Sequence, residues 1–203
     1  MKPFSSIAGI ILSAGASSRM GSPKALLEFG DGATLLSRQA ALLKDAGCNK
    51  TVVVVGSDSK KIRSKHPDLD VEWVENAQWQ KGQFSSLQAG ISQILSTDAE
   101  GTLVLPVDCE GVSVEVVQTV IETALRNPHL NAIIPEYDAK GGHPVYMSIN
   151  FCRIIASLDP EDKDARLDRQ MGLAKDVLRL PVNDANVVRN INDQEDWIRL
   201  CKS

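Results

Sequence analysis

Aromatic side chains make up only 4% of the 203 residues, too few for the stacked-ring surface that grips single-stranded nucleic acid. Positive charge is not in excess either. A net charge of −4 at pH 7 leaves no basic footprint for a polyanion, so no nucleic-acid partner is expected. The four cysteines, Cys48, Cys109, Cys152 and Cys201, stand far apart, which rules out a C-x-x-C metal or redox pair. A disulfide framework does not suit a domain of this size, and the thiols read as reduced, in a cytoplasmic protein. Long apolar runs are also missing. Lys2 followed by "IAGIILSAGAS" superficially resembles a signal peptide, but the apolar stretch from Ile7 to Leu12 has six residues. A secretion signal needs about 7–15 and a membrane span about 20, so neither secretion nor a membrane partner is expected.

What is present is ordinary globular material, 43% hydrophobic and 24% charged. The length suits one domain, 1–203, able to bury a real core. Strand-like and helix-like segments alternate. Ile7 to Ser13 reads as a strand covered on both faces, Thr34 to Ala46 as a helix stopped by Gly47, and "TVVVV" (Thr51 to Val55) as a buried strand. "SDSKKIRSKH" gives a short polar helix, Val71 to Val74 a strand, Ser85 to Leu95 a helix, and Thr102 to Val107 another strand. Val114 to Leu125 follows as a helix, Ala132 to Pro135 and "HPVYMS" as strands, and Asn150 to Ser157 as a helix. The charged run from Asp159 to Arg169 reads as a solvated loop. Asp176 to Leu180 and Val187 to Val188 read as short strands, and Asp193 to Cys201 as a closing helix. The alternation predicts an α/β fold in three layers, αβα, around a mostly parallel sheet.

Ligands in such sheets bind beyond the carboxyl ends of strands, where chain order reverses. Two features fall at strand ends: the loop "SAGASSRMGSPK" after the first strand, and Asp108 after "LVLPV". Gly15, Ala16, Ser17, Ser18, Gly21 and Ser22 leave backbone N–H groups open to an anion, and Arg19 and Lys24 add fixed positive charge. Neither standard nucleotide fingerprint is met. The glycines are six apart, so G-x-G-x-x-G fails, and Lys24 does not directly follow a glycine as a P-loop requires. From the residues alone, phosphate cradle and ordinary loop remain open alternatives.

"LSAGASSRMGSPK" (Leu12 to Lys24) resembles the L-x-(A/G)-G-x-S-x-R-M-G-x-x-K signature of nucleotidyltransferases, above all the branch acting on molybdenum cofactor. Four later stretches agree in order. "ENAQWQKGQFSSLQAGI" is similar to N-x-x-W-x-x-G-x-x-x-S-L-x-x-G, and "LVLPVDC" to the strand that ends in a metal-binding aspartate. "GGHPVYM" resembles a G-H-P-V segment, and "NINDQEDW" the closing N-(I/V)-(N/D)-T-x-E-D. Together they span Ile7 to Trp197.

The resemblance implies a Rossmann-like nucleotidyltransferase fold that transfers a nucleoside monophosphate onto an acceptor phosphate and releases pyrophosphate. Leu12, Ala14, Gly15, Ser17, Arg19, Gly21 and Lys24 would hold the triphosphate, with Arg19, Lys24 and Asp108 catalytic. Asp108 and Asn192 would carry Mg²⁺, with Asp193 a substitute if the register is one residue off. Asn76 and Ser86 would touch base and ribose, against the simpler reading that they cap and satisfy backbone. His143 would face the acceptor, against a structural histidine in a Gly-Gly-His-Pro turn. His66 and His129 read as surface residues, and Trp73, Trp79 and Trp197 as packing. Ala before the first loop glycine goes with cytidine in the molybdenum cofactor enzymes, so Ala14 suggests CTP, the smaller base fitting the narrower space.

Two departures stand out, the first bearing on the acceptor side and the second on capping of the last helix or on metal affinity. Where the family reads G-D-Q-P or G-D-M-P, this chain has "VDCEGVS", and Asp193 stands where the closing motif has Thr. The implied partners are an NTP, with CTP favoured, and a small phosphorylated acceptor such as molybdopterin, with a molybdoenzyme maturation partner as a further implication. The alternatives are a sugar- or alditol-phosphate nucleotidyltransferase and a non-catalytic nucleotide-binding regulator or chaperone.

Overall fold

The computed structural model describes residues 6–17 and 20–201. The first strand, β1, is Ile7–Ser13, and every residue in it is buried. Helix α1 (Leu35–Ala46) opens with a reciprocal cap: Thr34 Oγ1 accepts from the Ser37 backbone N–H, and Ser37 Oγ from that of Thr34. It ends at Gly47 with φ of 102°, a left-handed position that glycine occupies without steric cost. Strand β2 (Thr51–Val55), helix α2 (Ser59–Lys65) and strand β3 (Glu72–Glu75) follow, then α3 (Gln83–Ile94), β4 (Gly101–Pro106) and α4 (Val114–Arg126). The second half contains β5 (Ala132–Tyr137), β6 (Lys140–Gly141), β7 (Val145–Ser148), α5 (Ile149–Ser157), α6 (Leu167–Leu173), β8 (Val177–Pro181) and α7 (Gln194–Cys201).

The strands form one sheet in the order β3-β2-β1-β4-β7-β5-β6, with β8 alongside β5. Strands β3, β2, β1 and β4 are mutually parallel, as are β5 and β8. The expectation of a mostly parallel sheet holds in this half, but β7 runs antiparallel to both β4 and β5. The reason is local. Asp138 and Ala139 take φ of 50° and 59°, forming a tight hairpin between β5 and β6 that sends the chain back on itself.

Alternation along the strands builds two cores. From β1, Ile7 and Ile11 face one side with Val53, Val55, Leu103 and Leu105, where α1 and α4 cover them. Ala8, Ile10 and Leu12 face the other with Val52, Val54 and Val104, under α3 and α5. Gly90 lets α3 lie close to the sheet, since a Cβ there would stand 2.9 Å from methyl groups of both Ile10 and Val54.

Three local expectations change. Val187 and Val188 belong to a 3-10 turn, Ala185–Val188, rather than a strand: Asp184 accepts from the Asn186 N–H at 2.9 Å and starts the turn. His66 is buried, not superficial. Its Nδ1 lies 2.8 Å from the Ile62 carbonyl and its Nε2 2.6 Å from Thr34 Oγ1, tying α2 to the cap of α1. The charged run begins irregular, as expected, but its end winds into α6. His129 is exposed, as read from sequence, and Ser113 caps α4 by accepting from the Val116 N–H.

Candidate functional site

Chain order reverses between β1 and β4, so the crevice beyond their carboxyl ends is where such a sheet places a ligand. A cleft of about 440 Å³ lies there. Leu12, Ala14, Gly15, Ser17 and Lys24 line one side of it, Trp79, Gln80, Gln83 and Ser86 another, and Asp108 and Asn192 a third.

The β1 loop is shaped by two left-handed residues, Ser17 at φ of 47° and Gly21 at 67°. Ser17 turns the chain through its carbonyl, which accepts from the Met20 N–H at 2.8 Å, and its hydroxyl accepts from the Lys24 N–H at 3.1 Å. Met20 is buried against Leu35 and Ile191. Lys24 then opens a short 3-10 turn, Lys24–Leu26, anchored by buried Ala25. Gly56 admits the loop from behind, because a Cβ there would collide with the Ala14 carbonyl and stand 2.8 Å from Trp79 Cβ. Arg19, expected to complete this cradle, lies outside the described residues.

Lys24 Nζ stands 2.7 Å from Asp108 Oδ2, and both side chains are largely shielded, at 16% and 24% exposure. Residues 84 positions apart in sequence thus meet at the mouth of the sheet. The Asp108 segment is fixed on both flanks. Its carbonyl accepts from the Ile191 N–H at 2.9 Å, and Cys109 Sγ contacts Asn190 Oδ1 at 2.8 Å. Gln39 Nε2 donates to the Cys109 carbonyl and, at 3.0 Å, to Glu110 Oε2. Arg38 reaches Glu110 at 3.6 Å while lying over the Phe29 ring, which packs edge-on against Trp197. Burial raises the Glu110 carboxyl above its ordinary range, against the pull of Arg38. Burial, reinforced by the Asp108 charge, also pushes the Cys109 thiol far up, so it is an inert hydrogen-bonding group rather than a nucleophile.

The predicted residues do not all share one role. Asn76 is buried and spent inside the protein: its amide donates to Ser85 and Ser86 hydroxyls at 3.0 Å each and accepts from the Gln78 N–H at 2.9 Å. It fixes the segment that presents Ser86, Gln80 and Gln83, and it is absent from the cleft lining. Asn192 lines the cleft, whereas Asp193 caps α7 by accepting from the Glu195 and Asp196 N–H groups at 3.0 Å. Trp79 walls the cleft as well as packing on Gly56. Sequence reasoning missed Gln80 and Gln83, although both fall inside the quoted "WQKGQFSS" stretch. It also missed Gln39, Cys109 and Asn190, for which no local pattern exists.

His143 lies apart, in an adjoining cavity of about 760 Å³ that shares Leu12, Gly82, Gln83 and Pro106 with the cleft. Its walls mix apolar side chains, among them Phe84, Val104, Ile134 and Met171, with the charged Lys81, Arg166, Asp168 and Arg179. Burial lowers the His143 pKa, opposed by the Val104 carbonyl and the Asp108 charge. Its Nδ1 is buried without a partner. Among the described residues no three His, Cys, Asp or Glu side chains cluster as a metal centre, and no helix is long and apolar enough to cross a membrane.

Comparison with known proteins agrees with this geometry. The family model of the MobA-like NTP transferase domain matches residues 9–176. Nicotine blue oxidoreductase of Paenarthrobacter nicotinovorans is 28% identical over 166 residues, covering 79% of this chain and 80% of that protein. Molybdenum cofactor cytidylyltransferase of Escherichia coli K12 is 24% identical over 196 residues, covering 96% and 95%. Among solved structures, Rv0371c of Mycobacterium tuberculosis H37Rv superposes with a TM-score of 0.80 at 24% identity, over 97% of this chain and 98% of that one, a likeness of fold.

Proposed function

The chain belongs to the MobA-like NTP transferase domain family and is a nucleotidyltransferase, and from that premise we propose that it moves CMP from CTP onto the phosphate of molybdopterin or molybdenum cofactor. An acceptor phosphate oxygen attacks the α-phosphorus, a new P–O bond forms, the α–β bridging bond breaks and pyrophosphate departs. The acceptor is already anionic at neutral pH, so no strong base is needed. The difficulty is holding two anions in line, and positioning with charge neutralisation supplies most of the rate.

The observation that carries this reading is the convergence of Lys24, Asp108 and the β1 loop on one cleft. In it, N–H groups from Ala14 to Ser17 and near Gly21 bind the triphosphate, and Lys24 stabilises charge at the α-phosphate. Arg19 neutralises the outer phosphates. Ser86, Gln80 and Gln83 meet base and ribose, while Asn76 orders that segment. The adjoining cavity, with His143 in its wall, takes the body of the acceptor. Because burial favours neutral His143, this residue suits an uncharged part of the acceptor better than its phosphate.

The residues also fit a divalent ion. Asp108 offers a carboxylate and Asn192 an amide oxygen, hard donors that match Mg²⁺, which keeps waters and takes only one or two carboxylates. Bound there, the ion supplies neutralisation of phosphate charge. CTP is favoured over GTP because the Ala14 methyl narrows the space before Gly15.

Pyrophosphate release with each of four NTPs and with molybdopterin or a sugar phosphate as acceptor tests the proposal. Release with CTP and molybdopterin alone is expected. Tight nucleotide binding without turnover on any acceptor would overturn it. NADH and NADPH oxidation belongs in the same assay set, since one relative is named as an oxidoreductase. Nicotinamide oxidation without pyrophosphate release also refutes the transferase reading.

A further inference from the structure

The cleft carries its own counterions. Among the described residues lining it, Lys24 is the only cation and Asp108 the only carboxylate, and they are paired at 2.7 Å. A ligand that engages one of them therefore meets the charge of the other. A bare triphosphate that takes Lys24 leaves Asp108 as an uncompensated negative charge beside the phosphates. A bare divalent cation that takes Asp108 leaves the Lys24 ammonium beside a dication. When both arrive, one ion pair is exchanged for two, Lys24 with phosphate and Asp108 with metal. The backbone under each partner is held, Lys24 in the turn anchored by Ala25 and Asp108 in the segment bonded to Ile191 and Gln39, so a ligand entering the cleft meets both charges together.

We propose that the Lys24–Asp108 pair is an autoinhibitory contact that makes the cleft accept a metal-complexed triphosphate as one ligand and discriminate against either component alone. This rests on the cleft being the nucleotide site. Coupling of this kind is reciprocal: whatever factor the metal adds to triphosphate affinity, the triphosphate adds to metal affinity.

The test is calorimetric titration with CTP, in EDTA and in excess Mg²⁺, of the wild type and Asp108→Asn, with Mn²⁺ titration of Lys24→Gln followed by electron paramagnetic resonance. Wild type should bind CTP at least about tenfold more tightly with metal, roughly the low end of ordinary allosteric coupling. Asp108→Asn should bind metal-free CTP more tightly than wild type does and lose most of the metal enhancement. Lys24→Gln should bind Mn²⁺ alone more tightly than wild type. If Asp108→Asn leaves metal-free affinity unchanged or weaker, or Lys24→Gln leaves Mn²⁺ affinity unchanged, the contact is not inhibitory, although the nucleotide site stands. If wild type binds no CTP in either condition, the site assignment and the contact's role fall together.

Discussion

Replacing Lys24 with alanine should lower turnover far more than it weakens binding of the metal–nucleotide complex. In the unliganded cleft the ammonium is already paired at 2.7 Å with Asp108. Binding therefore exchanges one partner of Lys24 for another, and the ground-state gain is small. The transition state differs, because negative charge builds on the phosphoryl oxygens as the bridging bond stretches. A unit charge about 4 Å away in a partly shielded site, at an effective dielectric near 20, is worth about 4 kcal/mol. If about half a charge develops there, Lys24 contributes about 2 kcal/mol to the barrier, or roughly 30-fold in kcat. Calorimetric Kd for CTP with Mg²⁺ and steady-state pyrophosphate release separate the two quantities. Equal losses in kcat and affinity would refute the reasoning and make Lys24 a ground-state anchor only. Lys24→Arg should recover charge but not placement, since the planar fork cannot reproduce a point charge at the same root.

Other perturbations follow from the same geometry. Asp193→Ala should cost about 1 kcal/mol in urea unfolding by uncapping α7 while leaving the Mg²⁺ requirement of turnover unchanged. Asn192→Ala should do the reverse, raising the Mg²⁺ needed for half-maximal rate; a shift in metal requirement for Asp193→Ala instead would move the ligand assignment by one residue. Gly90→Val should destabilise by about 1–3 kcal/mol through overpacking on Ile10 and Val54, read from the denaturant midpoint. Ala14→Gly should raise the GTP-to-CTP ratio of kcat/KM, and an unchanged ratio removes Ala14 as the base filter. His143 has a folded pKa below its ordinary value of 6.5. Its contribution to stability is thus present above pH 6.5 and lost as pH falls below that value, because the unfolded chain takes the proton first. The denaturant midpoint should drop between pH 7.5 and 5.5 by more in wild type than in His143→Asn. Equal drops would show that His143 does not titrate as its burial demands.

Much of the fold was legible because it depends on short-range pattern. "TVVVV" and Ile7 to Ser13 declare buried strands by composition, and Gly47 and Ser113 declare helix ends by backbone and hydroxyl chemistry. The hairpin at Asp138–Ala139 was not legible, since neither residue announces a left-handed turn as Asn-Gly would, and the antiparallel β7 follows from it. His66 was misjudged for a related reason. A neighbouring proline marks a loop but cannot tell which way a ring turns, and here Thr34 and Ile62 hold it inside.

By itself the sequence determined the cradle of small residues with its lysine, the aspartate at a strand end and the family they resemble, because each is a contiguous string. Only the tertiary structure decided that Lys24 and Asp108 occupy one cleft as an ion pair, and that Gln39, Cys109 and Asn190 fix the aspartate's segment. Only it showed the Asn76 amide bonded to Ser85 and Ser86 within the protein, and His143 in the wall of a cavity beside the cleft. Contacts of this kind join residues dozens of positions apart across the end of a sheet. They are set by strand order and by how each helix packs, which a linear pattern does not encode.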